Sequence, residues 1–104
     1  MLDSKILKVC RKNNKPRLWI EGDFLLSNGW VKGDKYNVIN YLYNDYIALQ
    51  KNPDGHKKVS GRDRNNKHIP IVDIVGKDIS VLDQYQNIKL FFIDNETIVI
   101  RGVE

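Results

Sequence analysis

The chain is 104 residues long, a size for one domain or for two very small units that share a core. Its 41% hydrophobic and 29% charged residues suit a soluble globular protein and argue against disorder. No apolar run approaches the roughly 18–20 residues that cross a bilayer, and the opening MLDSKILKVC holds no signal-peptide core. The single cysteine, Cys10, excludes an intrachain disulfide and a multi-cysteine metal knuckle, so a cytoplasmic location is expected.

The net charge of +4 is unevenly spread. Met1 to Arg17 carries Lys5, Lys8, Arg11, Lys12, Lys15 and Arg17 against Asp3. Lys51 to His68 carries Lys51, Lys57, Lys58, Arg62, Arg64 and Lys67 against Asp54 and Asp63. The rest of the chain is net acidic. Concentrated Lys and Arg is the footprint expected for a polyanionic partner.

In chain order, Ile6 to Cys10 reads as a short strand, followed by a polar arm around RKNNK. Arg17 to Glu21 reads as a second strand, with Pro16 near its start, where a missing N–H does least harm. Asp23 is placed to cap a short helix in GDFLLSNGW, and Gly29 to end it in the left-handed region. KYNVINYLYNDYIALQK reads as a hairpin around a polar break at Asn44-Asp45. Lys51 to Asn66, rich in Gly, Pro, Asn and charge, reads as a link that runs into a second arm. The pattern then recurs: a strand at Lys57 to Ser60, an arm, a strand at Ile69 to Val75 beginning near Pro70, and a helix capped by Asp78 in KDISVLDQY. NIKLFFIDNETIVIRG closes it as a hairpin broken at Asp94-Asn95-Glu96.

The recurrence extends to the residues themselves. Lys8-Val9 matches Lys58-Val59, Asn13-Asn14-Lys15 matches Asn65-Asn66-Lys67, Ile20 and Gly22 match Ile74 and Gly76, and Tyr46 to Leu49 match Thr97 to Ile100. Residues 1–52 and 53–104 therefore read as two copies of one β-β-α-β-β unit. One copy is too small to bury an adequate core, so the two should interlock into one globule.

The arms supply the candidate site: Lys8, Arg11, Lys12, Asn13, Asn14, Lys15 and Arg17 in the first, and Lys57, Lys58, Arg62, Arg64, Asn65, Asn66 and Lys67 in the second. Their cations can neutralise phosphates, and Asn side chains can bond backbone or base edges. The bland alternative is a pair of solvated loops. Trp30 reads as core, while Trp19 is either solvent-facing beside the arm or part of a second cluster. Tyr36, Tyr41, Tyr43, Tyr46, Phe91 and Phe92 read as cross-strand pairs. Cys10 reads as a small, inert, apolar strand residue. His56 and His68 lie 12 residues apart with no carboxylate cluster, and no metal motif, phosphate-binding Gly loop or catalytic constellation is evident. No cofactor, metal or catalytic residue is therefore expected.

The stretch PRLWIEGDFLLSNGWVKGDKYNV resembles the core of SymE-like toxin proteins, at Pro16, Leu18, Ile20, Gly22, Phe24, Leu25, Gly29, Trp30, Gly33 and Val38, with Asn28 where the family usually has Ala. The stretch KKVSGRDRNNKHIPIVDIVGKDISV is similar to the AbrB/MazE swapped-hairpin group, at Val59, Gly61-Arg62 and Ile69-Pro70, with Asp63 to His68 as a longer polar insertion. The resemblance implies a mainly β swapped-hairpin barrel with short helices, built as an intrachain pseudo-dimer. It also implies a DNA-binding, regulator-like protein that uses its arms. The alternatives are a SymE-type toxin acting on RNA and a small phage or mobile-element protein that inhibits a host enzyme. Nucleic acid is the expected partner, DNA before RNA, with a protein partner second, no membrane, and either a monomer or a homodimer.

Overall fold

The computed structural model describes residues 3–41 and 46–103. Its strands are β1 (Asp3–Lys8), β2 (Cys10–Lys12), β3 (Lys15–Glu21), β4 (Lys35–Tyr41), β5 (Tyr46–Lys51), β6 (Lys57–Lys58), β7 (Ser60–Arg64), β8 (Lys67–Val75), β9 (Asn87–Asp94) and β10 (Thr97–Val103). A five-residue helix, α1 (Asp23–Ser27), follows β3, and a 3₁₀ segment (Lys77–Leu82) follows β8. The expected Asn44-Asp45 break and Tyr43 lie outside the described residues.

The described strands form two open antiparallel sheets rather than one closed barrel. The larger has the order β1-β9-β10-β5-β4-β6 and the smaller β2-β3-β8-β7. The barrel is not formed because two strands divide themselves between the sheets. The segment expected as one strand from Ile6 to Cys10 breaks at Val9, leaving β1 in the large sheet and β2 in the small one. Val59 breaks the second in the same way, between β6 and β7. At each break the freed N–H is satisfied by a loop carbonyl: Val9 donates to Gln86 O and Val59 to Asp34 O, both at 2.8 Å.

Strand alternation sets which residues meet. β3 buries Pro16, Leu18 and Ile20, and β8 buries Pro70, Val72 and Ile74 on the same side and Ile71 on the other. From the large sheet come Ile47 and Leu49, Ile88, Leu90 and Phe92, and Ile98 and Ile100. Leu18, Ile20, Val72, Ile74 and these large-sheet side chains join Leu25 of α1 and Ile79 and Leu82 of the 3₁₀ segment in one core. Trp30, expected in the core, is fully buried edge-on to Tyr36. Cys10 lies in a strand, as expected, and is exposed on β2 at the edge of the small sheet.

Neither aspartate caps its helix through its side chain. Gly22 and Gly76 occupy the cap positions, at φ 123° and 96°, and Asp23 and Asp78 fall in the first turns. A backbone turning through positive φ needs glycine there, which displaces the acid by one or two positions. The second helix is also tighter than expected. Gly29 does end α1 (φ 82°): Gly29 N–H donates to Leu26 O and Trp30 N–H to Leu25 O, the paired bonds of a Schellman motif.

The connectivity has a regular feature. Exchanging β1 with β6, β4 with β9 and β5 with β10 reverses the order of the large sheet without changing it. Exchanging β2 with β7 and β3 with β8 does the same for the small sheet. The central pairs are Trp19 opposite Asp73 and Ala48 opposite Val99. Each pair joins counterparts of the repeat: Trp19 and Asp73 are 54 residues apart, as are Ile20 and Ile74, and Ala48 and Val99 are 51 apart, as are Tyr46 and Thr97.

Candidate nucleic-acid interface

Each arm is a β-hairpin whose tip is an Asn-Asn dipeptide. Asn13 and Asn14 have φ of 52° and 64°, and Asn65 and Asn66 have 53° and 65°. Two consecutive left-handed residues in a two-residue loop make a type I′ turn, the geometry that matches the twist of the flanking strands. Asn tolerates this region better than other non-glycine residues because its short polar side chain bonds locally. Lys12 faces Lys15 across the first turn and Arg64 faces Lys67 across the second. All these residues are exposed.

Residues opposite each other in a sheet share a face. The pairs Lys12/Lys15, Cys10/Arg17, Arg17/Val75, Trp19/Asp73, Glu21/Ile71, Arg62/Ile69 and Arg64/Lys67 therefore all lie on the outer side of the small sheet, opposite the buried Leu18, Ile20, Val72 and Ile74. β3 and β8 run antiparallel and begin at the two tips, so the tips occupy opposite ends of this face. Ten residues of strand separate the level of Lys15 from that of Lys67 by register, or about 33 Å at the usual rise.

The middle of the face is neutralised internally. Arg17 Nε and Nη2 donate to the two Asp73 carboxylate oxygens at 2.9 and 3.0 Å, and the guanidinium stacks 4.6 Å from the centre of the Trp19 ring. The hydrogen bond that Arg17 donates to Asp73 holds its pKa above the usual value, so it stays charged. Arg62 Nε lies 2.9 Å from Glu21 Oε2, an ion pair without hydrogen-bond alignment. Trp19 is half-buried beside the first arm.

The remaining site residues differ in how far they are engaged. Arg11, on the inner side of β2, is bound by the Asp83 carboxylate and by Asp83 O. Lys57 lies 3.5 Å from Asp78, away from the tips, and Lys67 lies 3.8 Å from the exposed Asp23. Among the described residues Lys8, Lys12, Lys15, Lys58 and Arg64 have no carboxylate within ion-pair distance. Lys8 and Lys58 sit at the edges of the large sheet, so the structure does not bring them to the hairpin face. Reading the sequence missed the carboxylates of Asp73 and Glu21. Strand parity in LWIE and VDIV was the available signal, once β3 and β8 were placed side by side.

No catalytic grouping emerges from the histidines. His56 Nδ1 lies 2.6 Å from Asn37 Oδ1 on β4, while His68 pairs with Asp63 across the second hairpin. Among the described residues no cluster of His, Cys, Asp and Glu is arranged for a metal, and no helix is long and apolar enough to cross a membrane. Comparison with protein-family models, curated proteins and solved structures finds no match to this chain.

Proposed function

We propose that this protein binds nucleic acid, duplex DNA before RNA, through the outer face of the small sheet and its two hairpin tips. One observation carries the reading: Lys12 and Lys15 at one end of the face, and Arg64 and Lys67 at the other, are exposed cations flanking identical turns. Lys12, Lys15 and Arg64 have no carboxylate partner among the described residues, and the pair at Lys67 is exposed and long. Such pairs contribute about 1 kcal/mol or less, so a phosphate can displace the aspartate. The separation of about 33 Å matches one turn of B-form duplex, which brings the same groove back to the same side.

The connectivity supports a finer reading. Two AbrB/SymE-like copies would interlace as an intrachain pseudo-dimer, each lending its first strand to the other's hairpin in the large sheet. An approximate twofold through Trp19/Asp73 and Ala48/Val99 would then relate the tips, as duplex DNA relates its strands. Because RKNNK and RDRNNK differ, the preferred site is asymmetric or weakly specific.

The test is binding to duplex DNA, single strands and RNA across a salt series from about 50 to 200 mM. Duplex affinity should fall steeply with salt. Replacing Lys12, Lys15, Arg64 and Lys67 by Gln should lower the slope of log K against log salt by about 3 to 4. Absence of duplex binding at low salt, or a slope unchanged by the four replacements, overturns the reading.

A further inference from the structure

The large sheet has an outer face of different chemistry. β9 buries Ile88, Leu90 and Phe92 and so turns Lys89, Phe91 and Ile93 outward. By register Phe91 stands beside Val99, and Lys89 beside Arg101, which in turn stands beside Tyr46. Tyr46, Phe91, Ile93, Val99 and Arg101 line an open depression of about 600 Å³. Tyr41 stacks on Tyr46 with ring centres 4.7 Å apart and planes 21° apart. Ile93 is 42% exposed, a large apolar side chain left toward water.

Among the described residues the charge on this face has one sign. Lys89 and Arg101 border the aromatic rings, with Lys89 Nζ 5.2 Å from the centre of Phe91. Lys8, Lys35 and Lys58 stand exposed toward the margins. Among the described residues no carboxylate projects from this face between the strand ends. Asp94 stands at the β9–β10 turn, where its Oδ1 accepts the Glu96 N–H at 2.8 Å. A second copy seated here would set these cations against their own kind. Flat rings amid unopposed cations suit a ligand that offers flat faces and negative charge together.

We propose that this face is a second nucleic-acid site, one that takes single strands by stacking unpaired bases on Phe91 and Tyr46 while Lys89 and Arg101 neutralise the phosphates. Base-on-ring stacking requires no particular base and needs faces that a duplex hides, so the site selects for strandedness rather than sequence. It is independent of the hairpin reading.

The experiment measures affinity for a labelled oligothymidylate of about 12 nucleotides, within the usual range of such sites, and for a duplex. Phe91→Leu and Tyr46→Leu keep apolar volume and remove the ring. Each should weaken single-strand binding roughly tenfold and leave duplex binding unchanged, while Phe91→Tyr retains affinity. Replacing the four hairpin cations should do the reverse, so either site can fail alone. Melting curves establish that each variant is folded, and where Phe91→Leu unfolds, Tyr46→Leu and Phe91→Tyr decide. The proposal is overturned if folded ring-less variants bind the oligonucleotide as tightly as the parent, or if the parent does not bind it at low salt. It is equally overturned if sedimentation shows those substitutions splitting a dimer, or if phosphatidylserine vesicles and not oligonucleotides require the rings.

Discussion

The two hairpins share a turn and differ in their surroundings. Both tips place Asn-Asn at nearly the same positive φ, with a cation on either side. The first is short, with β2 only three residues long, and its Arg11 is tied down by Asp83 at the end of the 3₁₀ segment. The second extends β7 to five residues and adds the Asp63–His68 pair, while Arg62 is held by Glu21 and Lys67 approaches Asp23. Local sequence fixes the turn, whereas the packed neighbour decides which cations remain for a ligand. The first tip keeps Lys12 and Lys15 and the second keeps Arg64, with Lys67 only loosely engaged.

The largest contrast lies at the roots of the hairpins, where the strands change sheets. Val59 is 1% exposed and Val9 is half-buried. Val59→Ala should cost about 2 kcal/mol in chemical denaturation and Val9→Ala less than about half of that, because only the first leaves a closed cavity. Equal losses would mean that the two crossovers are packed alike.

Charge comes next. Replacing Lys12 and Lys15 by Gln, or separately Arg64 and Lys67, should each lower the salt slope of duplex binding by about 2. A second hairpin that mattered less than this would show that Asp63 and Asp23 screen it.

The turns follow. Asn13→Ala with Asn14→Ala, and the matching pair at Asn65 and Asn66, should each destabilise the protein by about 1–2 kcal/mol, since alanine is strained at positive φ. Asn14→Gly and Asn66→Gly should be neutral or slightly stabilising. If those glycine variants keep stability and lose duplex affinity, the Asn side chains touch the ligand as well as shape the turn.

The last effect is alkaline. Tyr36 stands beside Lys57 at the root of the second hairpin, and burial pushes its phenol up to about 12 from 10.0, with Asp73 adding to the rise. The folded state therefore keeps a proton that the unfolded chain releases above pH 10.0, so this contribution to stability is lost as pH rises from 10.0 toward about 12. The urea midpoint should fall over that range, and Tyr36→Phe should flatten the fall.

Several features were open to reading from residues alone. Alternation in PRLWIE and IVDIV announces β3 and β8, and the break at Asp94-Asn95-Glu96 announces the last hairpin. Asn13-Asn14 and Asn65-Asn66 mark the tips, although they read as arms before their dihedral angles identified them as turns. The sheet change was hidden because LKVC and KKVS look continuous, and the departure at Val depends on loop carbonyls 77 and 25 residues away. The 3₁₀ form of Lys77–Leu82 follows in part from Ile79, Ser80 and Val81, none of which favours an α-helix. The pairing of Arg17 with Asp73 needed the β3–β8 register, which belongs to the tertiary fold.

The central claim is that both tips engage one duplex together. Titrating the labelled protein with a duplex of about 20 base pairs, long enough for nearly two turns, and following amide resonances tests this directly. The amides of Asn13, Asn14, Asn65 and Asn66 should shift along one saturation curve with one duplex per chain. Movement at a single tip, or saturation of the two at different stoichiometries, would contradict it.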